Sequence, residues 1–262
     1  MNKFLLVLLF CVLGLVSCGD KNKIPTNEIH YTTLDNGVMP LENLFNFGEG
    51  QIVSNSYVQD KNLYILKFDK EVTQIWEGAF YGCSNLTSIS IPPSVTEIGR
   101  GAFYGCSRLT SIFIPSSVEG IGYRAFSACS NLTNIVVSEE NKVYDSREDC
   151  NAIIHSDSNT LICGCKNTII PPSVTEIGEG AFFGCSSLTS ISIPPSVTEI
   201  GHSAFFGCSN LTSISIPSSV TEIGHSAFSR CSNLTSISIP KGCEVEENTF
   251  RDCPKNIVIT RY

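Results

Sequence analysis

The feature that most constrains this chain is a cysteine that recurs at a nearly fixed interval. The steps between its copies are 23 residues, except for one step of 56 and a last one of 22. Constant spacing of about 20 to 50 residues is typical of solenoids, in which each repeat packs on its neighbours. We therefore predict a repeat solenoid with one coil per copy. The recurring cysteines are Cys83, Cys106, Cys129, Cys185, Cys208, Cys231 and Cys253.

The copy at 86–108 shows what each coil should look like. Apolar residues alternate with serines over Leu86–Ile91, which predicts one short, half-buried strand. Pro92 ends this strand because it fixes φ and has no N–H, and Gly99 favours a second corner. Stacked copies would place equivalent strands in a parallel ladder about 4.8 Å apart. The predicted fold class is therefore mainly β, with short strands and turns in 23-residue coils.

The repeated pattern L-x-x-I-x-I-P-x-S-V-x-x-I-G-x-x-A-F-x-x-C resembles the BspA-type leucine-rich repeat of bacterial surface proteins. The resemblance runs from Leu63 to about Cys253, and the copies at 188–208 and 211–231 keep nearly every position. It implies a leucine-rich-repeat fold and a non-enzymatic surface protein, often lipid-anchored, that acts in adhesion or partner binding. By the same resemblance, the partner would be a protein, such as a host surface or matrix protein. The resemblance assigns no catalytic residue to any position of this chain and implies no cofactor.

Residues 1–17 are predicted to be a lipoprotein signal peptide. Lys3 gives the segment a positive start, and residues 4–16 form an apolar run that is too short to span a bilayer. The sequence Leu-Val-Ser-Cys at 15–18 resembles a lipobox. Cleavage before Cys18 would make this cysteine the lipid-bearing N-terminus, anchored to a membrane without crossing it. This predicts a bacterial outer-membrane or cell-surface location; the alternative is an ordinary secretory signal with a chance cysteine.

The rest of the chain divides into a tether at 18–27, an N-terminal cap at 28–60 and the solenoid at 61–262. In the cap, Asp35-Asn36-Gly37 separates two strand-like stretches and predicts a hairpin between residues 29–33 and 38–41. The cap should cover the first coil.

The long step between two of the recurring cysteines predicts an excursion from the solenoid at about 138–167. Within it, residues 152–155 and 160–163 flank a four-residue loop, which predicts a second hairpin. The excursion is rich in acidic residues but lacks the spacing of a calcium loop. We therefore expect it to lie on the surface.

The cysteines are predicted to be buried free thiols. Equivalent side chains in successive coils point in parallel, so their Cβ atoms should stay about 4.8 Å apart, beyond the ~3.8 Å that a disulfide prefers. Small apolar thiols can fill a core instead. Cys150, Cys163 and Cys165 lie outside the regular series, and a disulfide among them is left open.

Neither a metal site nor a catalytic site is predicted. His202 and His225 occupy the same position in adjacent copies, but two ligands alone do not make a zinc site. A column of glutamates is expected to be a solvated acidic stripe, with a weak cation site as the alternative. No paired acids, Ser-His-Asp set or HExxH motif stands out. The glutamates are Glu97, Glu176, Glu199 and Glu222.

The net charge of −8 gives no indication of nucleic-acid binding, and we expect a monomer. The outward positions of most strands are serines, which contribute little to an interface. Phe113 and Val136 replace them in the third and fourth coils, with Tyr123 and Arg124 at a nearby corner. Because hot spots need larger side chains, we predict that these four residues bind a partner and that the excursion forms one wall of a groove. The alternative for Phe113 is a packing contact under the excursion.

Two other functions remain as alternatives to partner binding. The monotony of the serine face favours a structural spacer of the envelope without a dedicated ligand. A protein that binds or acts on surface glycans has only the predicted compartment in its favour.

Overall fold

The computed structural model describes residues 24–35, 37–39 and 50–262. The predicted signal peptide, Cys18 and most of the tether lie outside the described residues, as does Asn36. Among the described residues, no helix is long and apolar enough to cross a membrane.

The described part of the chain folds into short strands joined by turns. The strands are β1 (Glu28–Thr33), β2 (Ile52–Val58), β3 (Leu63–Phe68), β4 (Gln74–Ile75), β5 (Leu86–Ile89), β6 (Glu97–Ile98), β7 (Ser111–Ile114), β8 (Gly120–Ile121), β9 (Asn134–Val137), β10 (Tyr144–Asp145), β11 (Ala152–His155), β12 (Thr160–Gly164), β13 (Glu176–Ile177), β14 (Glu199–Ile200), β15 (Ser213–Ser215), β16 (Glu222–Ile223), β17 (Ser236–Ile239), β18 (Glu244–Val245) and β19 (Val258–Arg261).

The coils stack as a β-solenoid of about eight turns, which confirms the predicted fold class. Equivalent two-residue strands pair in parallel, as in β4-β6-β8 and in β13-β14-β16-β18. Their register is that of the repeat, with Ile75 opposite Ile98 and Ile98 opposite Ile121. On the other face β7 pairs with β9, and β15, β17 and β19 form a second parallel sheet.

The recurring Ala-Phe-x-x-Cys corners form the interior of the stack. Phe103 lies parallel to Phe80 and Phe126, with ring centroids 5.1 and 5.2 Å apart. The thiol of Cys106 donates a hydrogen bond to the carbonyl of Phe80 in the preceding coil, with Sγ and O 3.1 Å apart. The recurring cysteine therefore does more than fill space, because it satisfies a buried carbonyl of the coil before it.

The described cysteines are free thiols, and all but Cys253 are buried. This confirms the predicted stack of reduced thiols. Cys150, Cys163 and Cys165 are free as well, so the disulfide left open by the sequence is absent from this structure. Burial raises the pKa of the Cys231 thiol to about 12.

The predicted hairpin at the N-terminal cap is wrong. Strand β1 does not pair with residues 38–39; it pairs antiparallel with β3 and with β5, in the order β2-β3-β1-β5. Since β3 and β5 hold equivalent positions in the first two coils, β1 is inserted between them. The side chains of Ile29 and Tyr31 are fully buried there. The cap therefore enters the ladder as well as covering its end.

The second predicted hairpin is confirmed, but its surface location is wrong. Strands β11 and β12 pair antiparallel, and Ile153, Ile154 and Leu161 are fully buried. Ile153 packs into the hydrophobic cluster of the first coils, whereas Ile154 and Leu161 pack into the cluster of the later coils. The hairpin is therefore an internal partition between two cores.

Strand β12 also takes the place of a coil strand, because it pairs in parallel with β13. Its last residue, Gly164, donates a backbone hydrogen bond to Ala181 of the next corner. The ring of Phe182 lies against Gly164 and stacks on Phe205 on its other side. The insertion thus divides the phenylalanine column into two stacks.

Candidate functional site

A cavity of about 410 Å³ opens where the partition meets the regular coils. Its walls are the corner at 121–127, the hairpin at 155–163 and the following coil at 176–183. We call it the junction cleft. Ligand sites are commonly clefts of about 300–1,000 Å³ with a few convergent polar groups, and the cleft fits that description. The polar and aromatic side chains that line it are Tyr123, Arg124, Phe126, Ser127, Tyr144, His155, Ser158, Thr160, Glu176, Glu179 and Phe183.

Arg124 occupies a backbone position at which most other coils have a smaller residue. Its φ is 56°, in the left-handed region, and the equivalent residues Gly78, Gly101 and Gly180 also have positive φ. A non-glycine residue costs about 1–2 kcal/mol in this conformation. Arg124 is therefore held in a strained backbone conformation. Residues strained in this way cluster at functional sites.

The guanidinium of Arg124 lies between two aromatic rings. Its Cζ is 3.9 Å from the ring centroid of Phe183 and 4.7 Å from that of Tyr123. Arg100, one coil earlier, lies over the same tyrosine ring at 5.9 Å. Cation–π contacts of this kind contribute about 0.5–2 kcal/mol each. They fix the direction in which Arg124 points.

The hydroxyl of Tyr123 belongs to the same group of side chains. Burial is the main cause of its raised pKa; the charge of Arg124 opposes this rise, and the neighbouring carboxylate of Glu179 adds to it. The phenol therefore stays protonated at neutral pH. Glu179 is engaged with Tyr123, and it forms no ion pair with Arg124 within 4 Å.

The hairpin wall carries a chain of hydrogen bonds from His155 to Glu176. The Ser158 hydroxyl lies 3.0 Å from Nδ1 of His155 and donates to Thr160 at 2.9 Å, and Thr160 donates to Glu176 at 3.0 Å. The carboxylate meets the threonine and not the histidine, so this is not the order of a Ser-His-acid triad. The wall offers donors and acceptors to a ligand.

Tyr144 closes the end of the cleft. Its hydroxyl accepts a hydrogen bond from the backbone N–H of Ile121 at 3.1 Å, which leaves its own proton available to another group. Its ring meets the ring of His155 edge-on, with centroids 5.8 Å apart. The partition is thereby tied to the edge of β8.

Aromatic side chains outside the corner motif form a column beside the cleft. Tyr81 stacks on Tyr104, and Phe183 stacks on Phe206, with centroids 5.0 and 4.6 Å apart. Tyr104 also contacts Phe183, with ring centroids 6.2 Å apart. Because these rings lie face to face along the solenoid, they present their edges to solvent. Arg124 covers the open face of Phe183.

The structure separates the four predicted binding residues. Tyr123 and Arg124 line the junction cleft, and the hairpin forms its opposite wall. Phe113 and Val136 lie elsewhere, directly opposite each other on β7 and β9, and both are half-buried. Binding by any of the four stays a prediction.

Sequence reasoning missed several lining residues. Phe183 could have been found, because Tyr81, Tyr104 and Phe206 recur at the same position outside the core pattern. Glu179 lies in the same column as Arg100 and Tyr123, where the residue type changes from coil to coil, so no repeated pattern marks it. Nothing in the repeat could place His155 and Tyr144 in the cleft, because the partition has no counterpart in other coils.

The histidine and glutamate columns show no metal centre. Nδ1 of His202 accepts the backbone N–H of His225 at 3.2 Å, and the two rings are 6.5 Å apart. Within the described ranges, no group of three or more His, Cys, Asp or Glu side chains could hold a metal. Burial, followed by the charges of Glu176 and Glu222, raises the pKa of Glu199.

Comparison with known proteins gives one family and several similar structures. The profile of the BspA type leucine rich repeat region matches residues 50–151 and 153–260 in six copies. A leucine-rich cell surface protein from Faecalibacterium prausnitzii has a similar structure, with a TM-score of 0.55 and 30% identity over 72% of this chain and 57% of that one.

A leucine-rich repeat protein from Eubacterium ventriosum is also similar, with a TM-score of 0.51 and 28% identity over 65% of this chain and 53% of that one. The chain thus spans little more than half the length of either protein. No curated protein sequence matches it.

Proposed function

Because the chain belongs to the BspA-type leucine-rich repeat family, we propose that it is a bacterial surface lipoprotein whose solenoid binds a protein partner through the junction cleft. The family consists in general of non-enzymatic repeat scaffolds. A structural neighbour is described as a cell surface protein, which supports a surface location for this chain. Attachment through Cys18 would follow from the lipobox-like sequence at 15–18.

The observation that carries the proposal is the composition of the cleft. It combines an arginine and a tyrosine, two of the residue types that dominate binding hot spots, in a concave site away from the serine face. Tyr123 and Arg124 are ordered by contacts with each other and with Phe183. A partner would therefore lose little affinity to the ordering of these side chains.

A pull-down with the mature protein separates a binding module from a structural spacer. We expect wild-type protein to capture the same partners reproducibly and saturably. Tyr123→His, which installs the residue found at the equivalent positions His202 and His225, should weaken this capture. Ser213→Ala changes an exposed serine of the regular strand face, outside the cleft lining, and serves as the matched control. If no protein is captured saturably, the spacer is supported instead.

The lipid anchor is tested separately. Cys18→Ala should abolish metabolic labelling with a fatty-acid analogue and release the protein from the membrane fraction. Ser17→Ala, which keeps the cysteine, is the control. Unchanged membrane retention of Cys18→Ala would reject the anchor without affecting the proposal on the cleft.

A further inference from the structure

The partner chemistry that the junction cleft fits can be named from the state of Arg124. We propose that the cleft receives a single carboxylate of a peptide segment, the side chain of an aspartate or glutamate flanked by uncharged residues, and that the Arg124 guanidinium binds it. This inference rests on the proposed function, since it specifies what a protein partner would place in the cleft.

Arg124 has no polar partner among the described residues. It forms no ion pair within 4 Å, and its Nε is buried without a hydrogen bond. Two other arginines show the contrast: Arg147 bonds Asp145 through Nε at 2.7 Å, and Arg261 donates to two backbone carbonyls. An arginine without an acceptor beside a cleft is the group that a ligand would complete.

The guanidinium of Arg124 is also preorganised. Rings on both sides hold it, at 3.9 and 4.7 Å from Cζ. A planar fork of N–H donors matches a carboxylate in two parallel hydrogen bonds. Because the side chain is already ordered, binding costs little further entropy.

The charges in the cleft limit the ligand to one carboxylate. Arg124 is the single arginine or lysine among the cleft residues, and Glu176 and Glu179 line the same cleft, so a second carboxylate would be repelled with no second cation to offset the repulsion. Glu176 is engaged by Thr160, and Glu179 by Tyr123. A run of acidic residues should therefore bind more weakly than one acidic residue between uncharged ones.

The aromatic rings beside the cleft favour a peptide over an acidic sugar as the ligand. A sugar ring packs on an exposed aromatic face. The faces beside the cleft are covered: Phe183 is stacked between Phe206 and Arg124, and Tyr123 lies between two arginines. The hairpin wall offers hydroxyl and imidazole groups that suit a peptide backbone.

The test uses capped tripeptides and the ¹⁵N-labelled mature protein. The probes are acetyl-Gly-Glu-Gly-amide, its glutamine analogue and glucuronic acid. We expect the glutamate peptide to shift the Arg124 Nε–H resonance and the backbone amide of Gly180 saturably. The glutamine peptide should bind at least about tenfold more weakly, because it lacks the charge-assisted pair.

Matched variants keep the inference falsifiable. Arg124→Gly carries the residue of three sibling coils and should fold, as checked by its melting temperature, yet lose the Gly180 response. Arg124→Lys keeps the charge without the fork and should bind at least about fivefold more weakly. Arg230→Gly removes an arginine that stacks on Phe206 outside the cleft lining, and it should bind as wild type does.

Three outcomes would overturn the inference: equal shifts with the glutamine peptide, an undiminished response in Arg124→Gly, or tighter binding of glucuronic acid, which would assign the cleft to a sugar. If Arg124→Gly still captures the wild-type partners in a pull-down, the carboxylate contact is wrong while protein binding stands. If wild-type protein captures no partner, the proposed function itself fails.

Discussion

Substitution of Gly164 by alanine tests whether the buried hairpin couples the two halves of the solenoid. A methyl group at Gly164 would lie 2.5 Å from Cζ and 2.9 Å from Cδ1 of Phe182. Carbon atoms pack at about 3.5–4.0 Å, so the ring would have to move by about 1 Å. Phe182 is almost fully buried and stacks on Phe205 at 5.0 Å. It cannot move without disturbing the second phenylalanine stack.

The magnitude follows from the cost of overpacking a core, about 1–3 kcal/mol. For a domain of about 150–250 residues, each kcal/mol lowers Tm by about 2–4 °C. We therefore expect Gly164→Ala to lower Tm by about 2–12 °C. The loss should begin in the later coils, because Phe182 belongs to their hydrophobic cluster.

The assay exploits the single tryptophan of the chain. Trp76 lies in the first coil, so its fluorescence reports the first half, whereas far-UV circular dichroism reports all coils. In a repeat protein, weak coupling between neighbours lets regions unfold separately. For Gly164→Ala we expect the circular-dichroism midpoint to fall more than the fluorescence midpoint. Wild-type protein should show coincident transitions.

Gly242→Ala is the matched control, because no atom lies within 4 Å of its new methyl group. It should change Tm by no more than about 2 °C. A Gly164→Ala variant with the wild-type Tm would refute the argument that β12 and Phe182 are packed without spare room.

Three further changes have defined outcomes. Because burial raises the pKa of Cys231 to about 12, its thiol should react with a thiol reagent at pH 8 only after denaturation. The free energy of unfolding, measured in urea, should fall above about pH 9, because thiols in the unfolded chain ionise at a lower pH than the buried thiols of the folded protein. Phe113→Ser, which loses a half-buried side chain opposite Val136, should lower unfolding free energy by about 1 kcal/mol and leave the glutamate-peptide response unchanged. Glu199→Gln should raise Tm at pH 7, since the raised pKa means that ionisation of Glu199 costs stability, and the gain should vanish near pH 4, where wild-type Glu199 is protonated.

The repeat accounts for the parts of the fold that the sequence could predict. In each copy the same apolar positions return to the core, so one copy such as 86–108 defines strand, corners and neighbours for the others. The repeat could not predict the insertion of β1 between β3 and β5, because β1 lies outside the repeats and its partner strands are distant in the chain. A local turn signal at Asp35 and Gly37 suggested a nearer partner.

The buried hairpin left a signal that the prediction did not use. Ala152, Ile153 and Ile154 are consecutive apolar residues, and a strand with one face in water would alternate. An unbroken apolar run indicates burial on both faces, which is what the two hydrophobic clusters provide. The acidic residues around the hairpin had suggested a surface excursion.

The location of the candidate site follows from the same physical difference between regular and irregular coils. Regular coils present equivalent side chains at ~4.8 Å intervals, so their surfaces repeat one chemistry, here serine and glutamate. A site that brings arginine, tyrosine, histidine and carboxylates together needs segments that are not equivalent. The partition supplies them, because His155, Ser158 and Thr160 of the hairpin line the cleft opposite Tyr123 and Arg124 and have no counterpart in a regular coil. The chemistry of the junction cleft is therefore a consequence of the insertion, and removal of the hairpin should close the cleft by restoring contact between Phe126 and Phe182.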